Sequence, residues 1–212
     1  MKLYTYFRSS AAFRVRIALN LKGLAYEPAF VHLARGEHRK PEYGARNPQA
    51  LLPALEDGGE RFTQSLAIIE YLDETYPSTP LLPKDAPGRA RVRSLALLIA
   101  CEIHPLNNLR VLQHLKRVLG QTDEQVDTWY RHWIADGLAR LEASLASTIG
   151  TGKFCHGDSP TMADCCLVPQ IFNAQRYGCE TSPYPTTMRV FEQCMRLDAF
   201  DRAQPSKQPD AE

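Results

Sequence analysis

Phe7-Arg8-Ser9-Ser10-Ala11-Ala12-Phe13-Arg14-Val15-Arg16-Ile17-Ala18-Leu19 is the stretch that decides how the chain begins. In front of it Lys2-Leu3-Tyr4-Thr5-Tyr6 is short and rich in aromatic residues, the composition of a β-strand. Behind it Phe13, Ile17 and Leu21 recur every four residues, a helical stripe, and Gly23 stands where such a helix stops. Two serines and an arginine therefore occupy a strand-to-helix turn. Ser9 or Ser10 is the candidate N-cap, its hydroxyl and the free N–H groups of the first turn directed into one small volume. A helix N-terminus favours negative charge, so this turn suits an anion: phosphate, carboxylate or thiolate. Capping alone also accounts for the serines.

Tyr26 to Leu33 reads as a second strand, and strand, helix, strand at this spacing is a βαβ unit with parallel strands. Residues 34–41 are polar and bounded by glycine and proline, the composition of an exposed loop. In Leu51-Leu52-Pro53-Ala54-Leu55 a proline interrupts a strand, which confines it to an edge, a start or a bend. Asp57-Gly58-Gly59 is a hairpin turn and Arg61-Phe62-Thr63-Gln64 the returning strand. Ser65 then opens a helix whose face is Leu66, Ile69, Leu72 and Tyr76, ended by Pro77.

Residues 1–80 thus read as a compact α/β domain, and 88–212 as an all-helical one. Val92, Leu95, Ile99 and Ile103 continue into Leu106, Leu109 and Leu112, with Pro105 set to kink or break the helix. His104 and Asn108, read as one turn apart on that segment, share a face. Tyr130, Trp133, Leu138, Leu141 and Leu145 mark a second long helix. Thr161-Met162-Ala163-Asp164 is a capping-box start to a third, and Met188, Phe191 and Met195 mark a fourth. From Gln204 the chain is polar with two prolines, a surface-lying or disordered end.

The 212 residues carry a net charge of +1, which gives no global field for recruiting nucleic acid or an anionic membrane. No run of eighteen apolar residues occurs, and the first residues lack the basic-then-apolar pattern of a signal peptide. Six cysteines form no C-x-x-C pair and read as reduced, mostly buried thiols of a cytoplasmic protein. The six histidines are scattered, so no metal site is expected. Cys155-His156 lacks a third group to orient it as a nucleophile, and adjacent Cys165 and Cys166 read as packing.

The strand, the serine turn, Leu-Pro before a strand and Gln-Ser opening a helix resemble the thioredoxin-like domain of a glutathione transferase. Arg8-Ser9-Ser10, the run from Arg14 to Leu19, Gln64-Ser65 with Ala67 to Leu72, Leu81-Leu82-Pro83 and Gln208-Pro209-Asp210 are similar to the zeta class, the maleylacetoacetate isomerases. The resemblance spans essentially the whole chain. It implies a thioredoxin-like domain followed by an all-α domain, a homodimer, and glutathione lying extended along the first domain. Ser9, with Ser10 beside it, matches the residue that hydrogen-bonds the glutathione sulfur. Gln64 and Ser65 match the holders of the γ-glutamyl carboxylate. Pro53 matches a cis-proline that leaves the Leu52 backbone for the cysteinyl unit, and His38 and Gln49 fall near the glycyl end. His104 and Asn108 match a helical segment that contacts glutathione, in the same subunit or its partner. One departure stands out: the class commonly has Ser-Ser-Cys where this chain has Ala11.

The implied reaction is cis–trans isomerisation of a maleyl keto acid, maleylacetoacetate or maleylpyruvate. A hydroxyl donor and a helix N-terminus favour S⁻ over SH. Arg8, Arg110 and Arg176 are the candidate cations for a doubly charged substrate, because the guanidinium fork binds carboxylate bidentately. Arg14 and Arg16, out of phase with this task, read as structural ion pairs. The alternatives are net conjugation or dehalogenation of small α-halo acids, and a non-enzymatic scaffold, which would be expected to lose the Ser9 hydroxyl.

Overall fold

The structure is a computed structural model and describes all 212 residues. The chain folds as two compact units, Met1–Leu82 with Met195–Glu212, and Pro83–Cys194.

The first unit is built on four strands, β1 (Lys2–Thr5), β2 (Glu27–Phe30), β3 (Ala54–Asp57) and β4 (Glu60–Thr63), in the order β2-β1-β3-β4. β2 lies parallel to β1 with Leu3 opposite Pro28. β3 is antiparallel to β1, and β4 to β3, with Leu55 opposite both Leu3 and Phe62. Helix α1 (Ser10–Leu21) makes the crossover between the parallel strands. The expected loop at 34–41 contains a 3₁₀ turn, Glu37–Arg39, and leads into a short helix α2 (Pro41–Gly44). Proline at the first helical position starts α2 without needing its missing N–H. Helix α3 (Ser65–Thr75) follows the hairpin. The bond between Leu52 and Pro53 is cis, and Leu52 lies just outside the β3 ladder.

Every residue of α1 from Ala12 to Leu19 is buried, not only the Phe13–Ile17 stripe. The helix packs against α3 and against α9 (Asp198–Asp201) from the chain's far end. Both arginines of α1 are therefore out of water and need internal acceptors. At the end of α1, Lys22 Nζ meets Asp73 at 2.9 Å and the Thr79 carbonyl at 2.6 Å, while Asp73 also accepts the Leu81 N–H. The polar end of the chain is ordered: a 3₁₀ turn at Pro205–Lys207 leads to Asp210, which accepts the Phe7 N–H.

The second unit holds α4 (Ala86–Leu97), α5 (Leu109–Arg117), α6 (Asp123–Ala146), α7 (Met162–Arg176) and most of α8 (Pro185–Met195). The anticipated break falls earlier and is wider than a kink at Pro105. The backbone passes from α4 into a π-helical stretch, Leu98–Ile103, then a 3₁₀ turn, His104–Asn107, before α5 begins. Buried Asp164, three residues into the capping box of α7, accepts from the Thr161 N–H, the Thr161 hydroxyl and the Cys155 N–H. Its pKa is raised by burial.

Gly137 on α6 marks a close approach within this unit, because a Cβ there would stand 2.3 Å from Ile103 Cγ1. Gly137→Ala is expected to lower stability by about 1–3 kcal/mol through overpacking. The urea midpoint checks this, and Ile103→Ala in the same chain should recover part of the loss.

Candidate active site

The turn between β1 and α1 is closed by the Ser9 N–H, which donates to the Tyr6 carbonyl at 2.9 Å. Of the two serines it is Ser9 that caps α1: its Oγ accepts the Ala12 N–H at 3.2 Å, and its backbone is extended. Ser10 is the first helical residue. A hydroxyl carries one proton and two lone pairs, so capping consumes a lone pair and leaves the Ser9 proton to be donated. The two roles weighed for this serine are compatible. Arg8 is exposed, its guanidinium carbon 4.8 Å from the centre of the Phe7 ring.

Arg16, read from the sequence as structural, holds this turn. Its five N–H groups donate to Thr5 Oγ1, the carbonyls of Tyr6 and Phe7, and twice to the carbonyl of Ala203. The expected ion pair is replaced by a set of carbonyls and one hydroxyl, because backbone acceptors surround the buried fork on both sides. Burial lowers the guanidinium to about 10, against opposing pulls from Tyr26 and Asp210, so it stays charged at neutral pH. Arg14 donates to Ser65 Oγ at 3.2 Å, tying α1 to the start of α3.

At that second helix start the cap position belongs to Gln64, whose side chain makes no cap bond. Gln64 has φ +68°, a left-handed value a side chain tolerates poorly, and such strain clusters at functional sites. Its Nε2 donates to Gln49 Oε1 at 2.7 Å, which joins two residues fifteen apart that the resemblance had assigned to one ligand. The first N–H groups of α3 are thus left without a side-chain cap, as an anion site needs. Ser65 itself is buried and does not cap.

The segment before the cis bond is stapled by residues without a sequence signal of their own. Tyr43 Oη and Asn47 Nδ2 both donate to the Leu51 carbonyl, at 2.6 and 2.8 Å, and Asn47 Oδ1 accepts the Gln49 N–H. Desolvation pushes the Tyr43 hydroxyl up to about 12, so it remains a donor. The Leu52 side chain is buried with Tyr4, Tyr6, Phe7, Val31 and Tyr43. His38 is buried in its 3₁₀ turn, with Nδ1 unpartnered and its pKa lowered by burial and by Arg39, which keeps the ring neutral.

The remaining candidates belong to the helical unit. His104 sits in the 3₁₀ turn, whereas Asn108 is extended and caps α5, accepting the Arg110 N–H at 3.2 Å. They do not share a face of one helix, because the 3₁₀ turn that holds His104 ends at Asn107 and Asn108 is extended. Arg110 is exposed. Arg176, at the last turn of α7, is exposed but held: Nη2 donates to Asn173 Oδ1 at 3.0 Å and the guanidinium lies 4.9 Å from the Tyr177 ring centre. That ring stacks on Tyr130 at 3.5 Å, and the Tyr130 hydroxyl donates to the same Asn173 oxygen.

Residues 3–80 match the glutathione S-transferase N-terminal domain family. A probable maleylacetoacetate isomerase of Vibrio cholerae is 50% identical over 211 residues, 99% of this chain and 97% of that one. Among solved structures, a holo maleylpyruvate isomerase described as a bacterial zeta-class glutathione S-transferase superposes with a TM-score of 0.98 at 48% identity, over the whole of both chains. A maleylacetoacetate isomerase from Methylobacterium extorquens AM1, with malonate and glutathione bound, gives 0.98 at 46% identity, again over both full lengths.

The strain at Gln64 can be measured. Gln64→Gly removes the penalty of the positive φ and is expected to stabilise the folded protein by about 1 kcal/mol. Thermal denaturation of the ligand-free protein checks it; a loss of stability would place the conformation under no strain.

Proposed function

The chain belongs to the zeta class of the glutathione S-transferases, among the maleylacetoacetate and maleylpyruvate isomerases, and on that footing we propose a glutathione-dependent cis–trans isomerisation of a maleyl keto acid. The observation that carries it is the Ser9 hydroxyl, fixed as an acceptor by the Ala12 N–H with its proton free to point at an anion. The residues fit glutathione. Ser9 and Ser10 lie at the start of α1, the uncapped start of α3 carries Gln64 joined to Gln49, and Leu52 stands outside the sheet ladder.

Glutathione supplies a thiolate that adds reversibly to the electron-poor cis double bond, so that rotation about the resulting single bond precedes its departure. Ser9 donates its hydroxyl proton to the sulfur, and the N-terminus of α1 adds its partial positive charge; both lower the thiol pKa from about 8.5. Gln64, Ser65 and the first N–H groups of α3 hold the γ-glutamyl carboxylate. The Leu52 backbone beside Pro53 pairs with the cysteinyl unit as an added strand would. His38 and Gln49 serve the glycyl end, and His104 and Asn108 carry the class's further glutathione contacts, in the same subunit or its partner. Arg8, Arg110 and Arg176 receive the substrate's carboxylates and the charge that spreads onto its keto oxygen. Of these, Arg176 is best prepared, since the Asn173 bond and the Tyr177–Tyr130 stack limit its rotamers before substrate arrives. Ala11 costs the reaction nothing, because the attacking sulfur is not the protein's own.

A homodimer in the cytoplasm completes the proposal. Six free cysteines, four of them buried, suit a reducing compartment. Sedimentation at micromolar concentration should return twice the 23.9 kDa chain mass, and a monomer would refute the dimer.

With catalytic glutathione present, the enzyme should convert maleylacetoacetate or maleylpyruvate to the trans isomer without consuming the thiol. Inertness toward both overturns the isomerase, and stoichiometric loss of glutathione with an α-halo acid alone would favour the conjugating alternative. One hydrogen bond to a charged acceptor is worth about 1.5–3 kcal/mol. At 1.36 kcal/mol per unit, Ser9→Ala should therefore raise the bound thiol pKa by about one to two units. The pH dependence has a definite sign: activity rises as the thiol ionises, so the variant's profile moves to higher pH. An unchanged thiol titration would mean that another group holds the sulfur. Arg176→Ala should raise KM for the keto acid while leaving glutathione affinity unaltered, and the opposite pattern would exclude it from the substrate half.

A further inference from the structure

The backbone leading into Ser9 is gripped by two charged side chains. The Phe7 N–H donates to Asp210 Oδ2 at 3.0 Å, from a residue 203 positions away. The Phe7 carbonyl accepts from Arg16 Nη2 at 3.1 Å, and the Tyr6 carbonyl accepts from Arg16 Nη1 and from the Ser9 N–H. Arg16 is tied in turn to the chain's end through the Ala203 carbonyl.

Asp210 has little else to do. Its Oδ1 is buried without a hydrogen-bond partner, so the carboxylate is held by the Phe7 amide and by attraction to Arg16. Its segment is brought to the turn by local bonds, the Gln208 side chain donating to the carbonyls of Arg202 and Gln204, each at 2.9 Å. The other charged or titratable groups near the turn include Tyr26, beside Arg16, Arg8, over the Phe7 ring, and Tyr6 itself, whose ring lies 4.8 Å from that of His32.

We propose that Asp210 is a positioning residue for the thiolate site: by holding the Phe7 amide it fixes the turn from which Ser9 presents its hydroxyl to the sulfur. The proposal rests on the reading that Ser9 serves glutathione. Phe7 is two residues from Ser9, and a donor that stabilises an anion must be held within about 0.5 Å of its working place. Released from Asp210, the turn keeps the Arg16 bonds but pivots about them, and the Ser9 hydroxyl spends part of its time misdirected.

Asp210→Ala and Asp210→Asn, in the full chain, test this by two readouts. The first is amide hydrogen exchange at Phe7 and Ser9 in the ligand-free protein; the second is ultraviolet titration of the bound glutathione thiol. Asp210→Ala should speed exchange at Phe7 and raise the thiol pKa by about one unit, a tenfold loss of thiolate below that pKa. Asp210→Asn keeps a carbonyl acceptor and should shift the pKa the same way by less. It also stands in if the alanine variant does not fold. Asp198→Asn, which breaks the exposed pair with Arg202 in the same unit, should leave both readouts at wild-type values. A folded Asp210 variant with weaker glutathione binding or lower stability but an unmoved thiol pKa overturns the positioning role, as does an unmoved pKa in Asp210→Asn alone. Wild-type protein that leaves the thiol at its solution pKa overturns both this proposal and the function it rests on.

Discussion

A charged guanidinium sealed inside the first unit organises everything near it. Arg16 is fully buried, faces no carboxylate within ion-pair distance, and satisfies all five N–H groups on Thr5, Tyr6, Phe7 and Ala203. Moving such a charge out of water costs several kcal/mol, and only a complete set of acceptors in the right geometry offsets it. The end of β1, the serine turn and the returning chain end must therefore converge on one point. A carboxylate in place of these carbonyls would have tied Arg16 to a side chain. The carbonyls tie it to the backbone that carries Ser9.

The two helix starts proposed to bind the tripeptide are linked by the same helix. Arg14 lies two residues before Arg16, on the other side of α1, and bonds Ser65 at the start of α3. One helix, buried over its length, thereby sets the start of α3 against the turn that begins it. Gln64 carries the strain of this arrangement in its positive φ and gains a bond to Gln49. Its strained backbone leaves the α3 N–H groups uncapped, which suits an anion better than it suits the free protein.

The helical unit solves a different problem. Long arginines lose rotamer freedom on binding, a cost that would weaken Arg176 in the role proposed for it if it were unsupported. The Tyr130–Tyr177 stack and Asn173 bear that ordering cost during folding. Arg110 has no comparable side-chain support, only a backbone N–H engaged by the Asn108 cap.

The sequence by itself determined the order of the strands and main helices of the first unit, the strand-to-helix serine turn, the proline before β3, the Gln-Ser start of α3 and the capping box of α7. Each of these is encoded locally, by periodicity, turn chemistry or caps within a few residues. Only the tertiary structure decided what Arg14 and Arg16 touch, that Tyr43 and Asn47 staple the Leu51 carbonyl, that Gln49 meets Gln64, and that Asp210 reaches Phe7. It also decided that α4 gives way to a π-helical stretch and then a 3₁₀ turn, His104–Asn107, which ends before the extended Asn108. The reason is common to all of them. A stripe of apolar residues tells which face of a helix seeks the core, but it cannot tell that a second layer, formed by residues nearly two hundred positions later, will cover the opposite face and turn charged side chains inward.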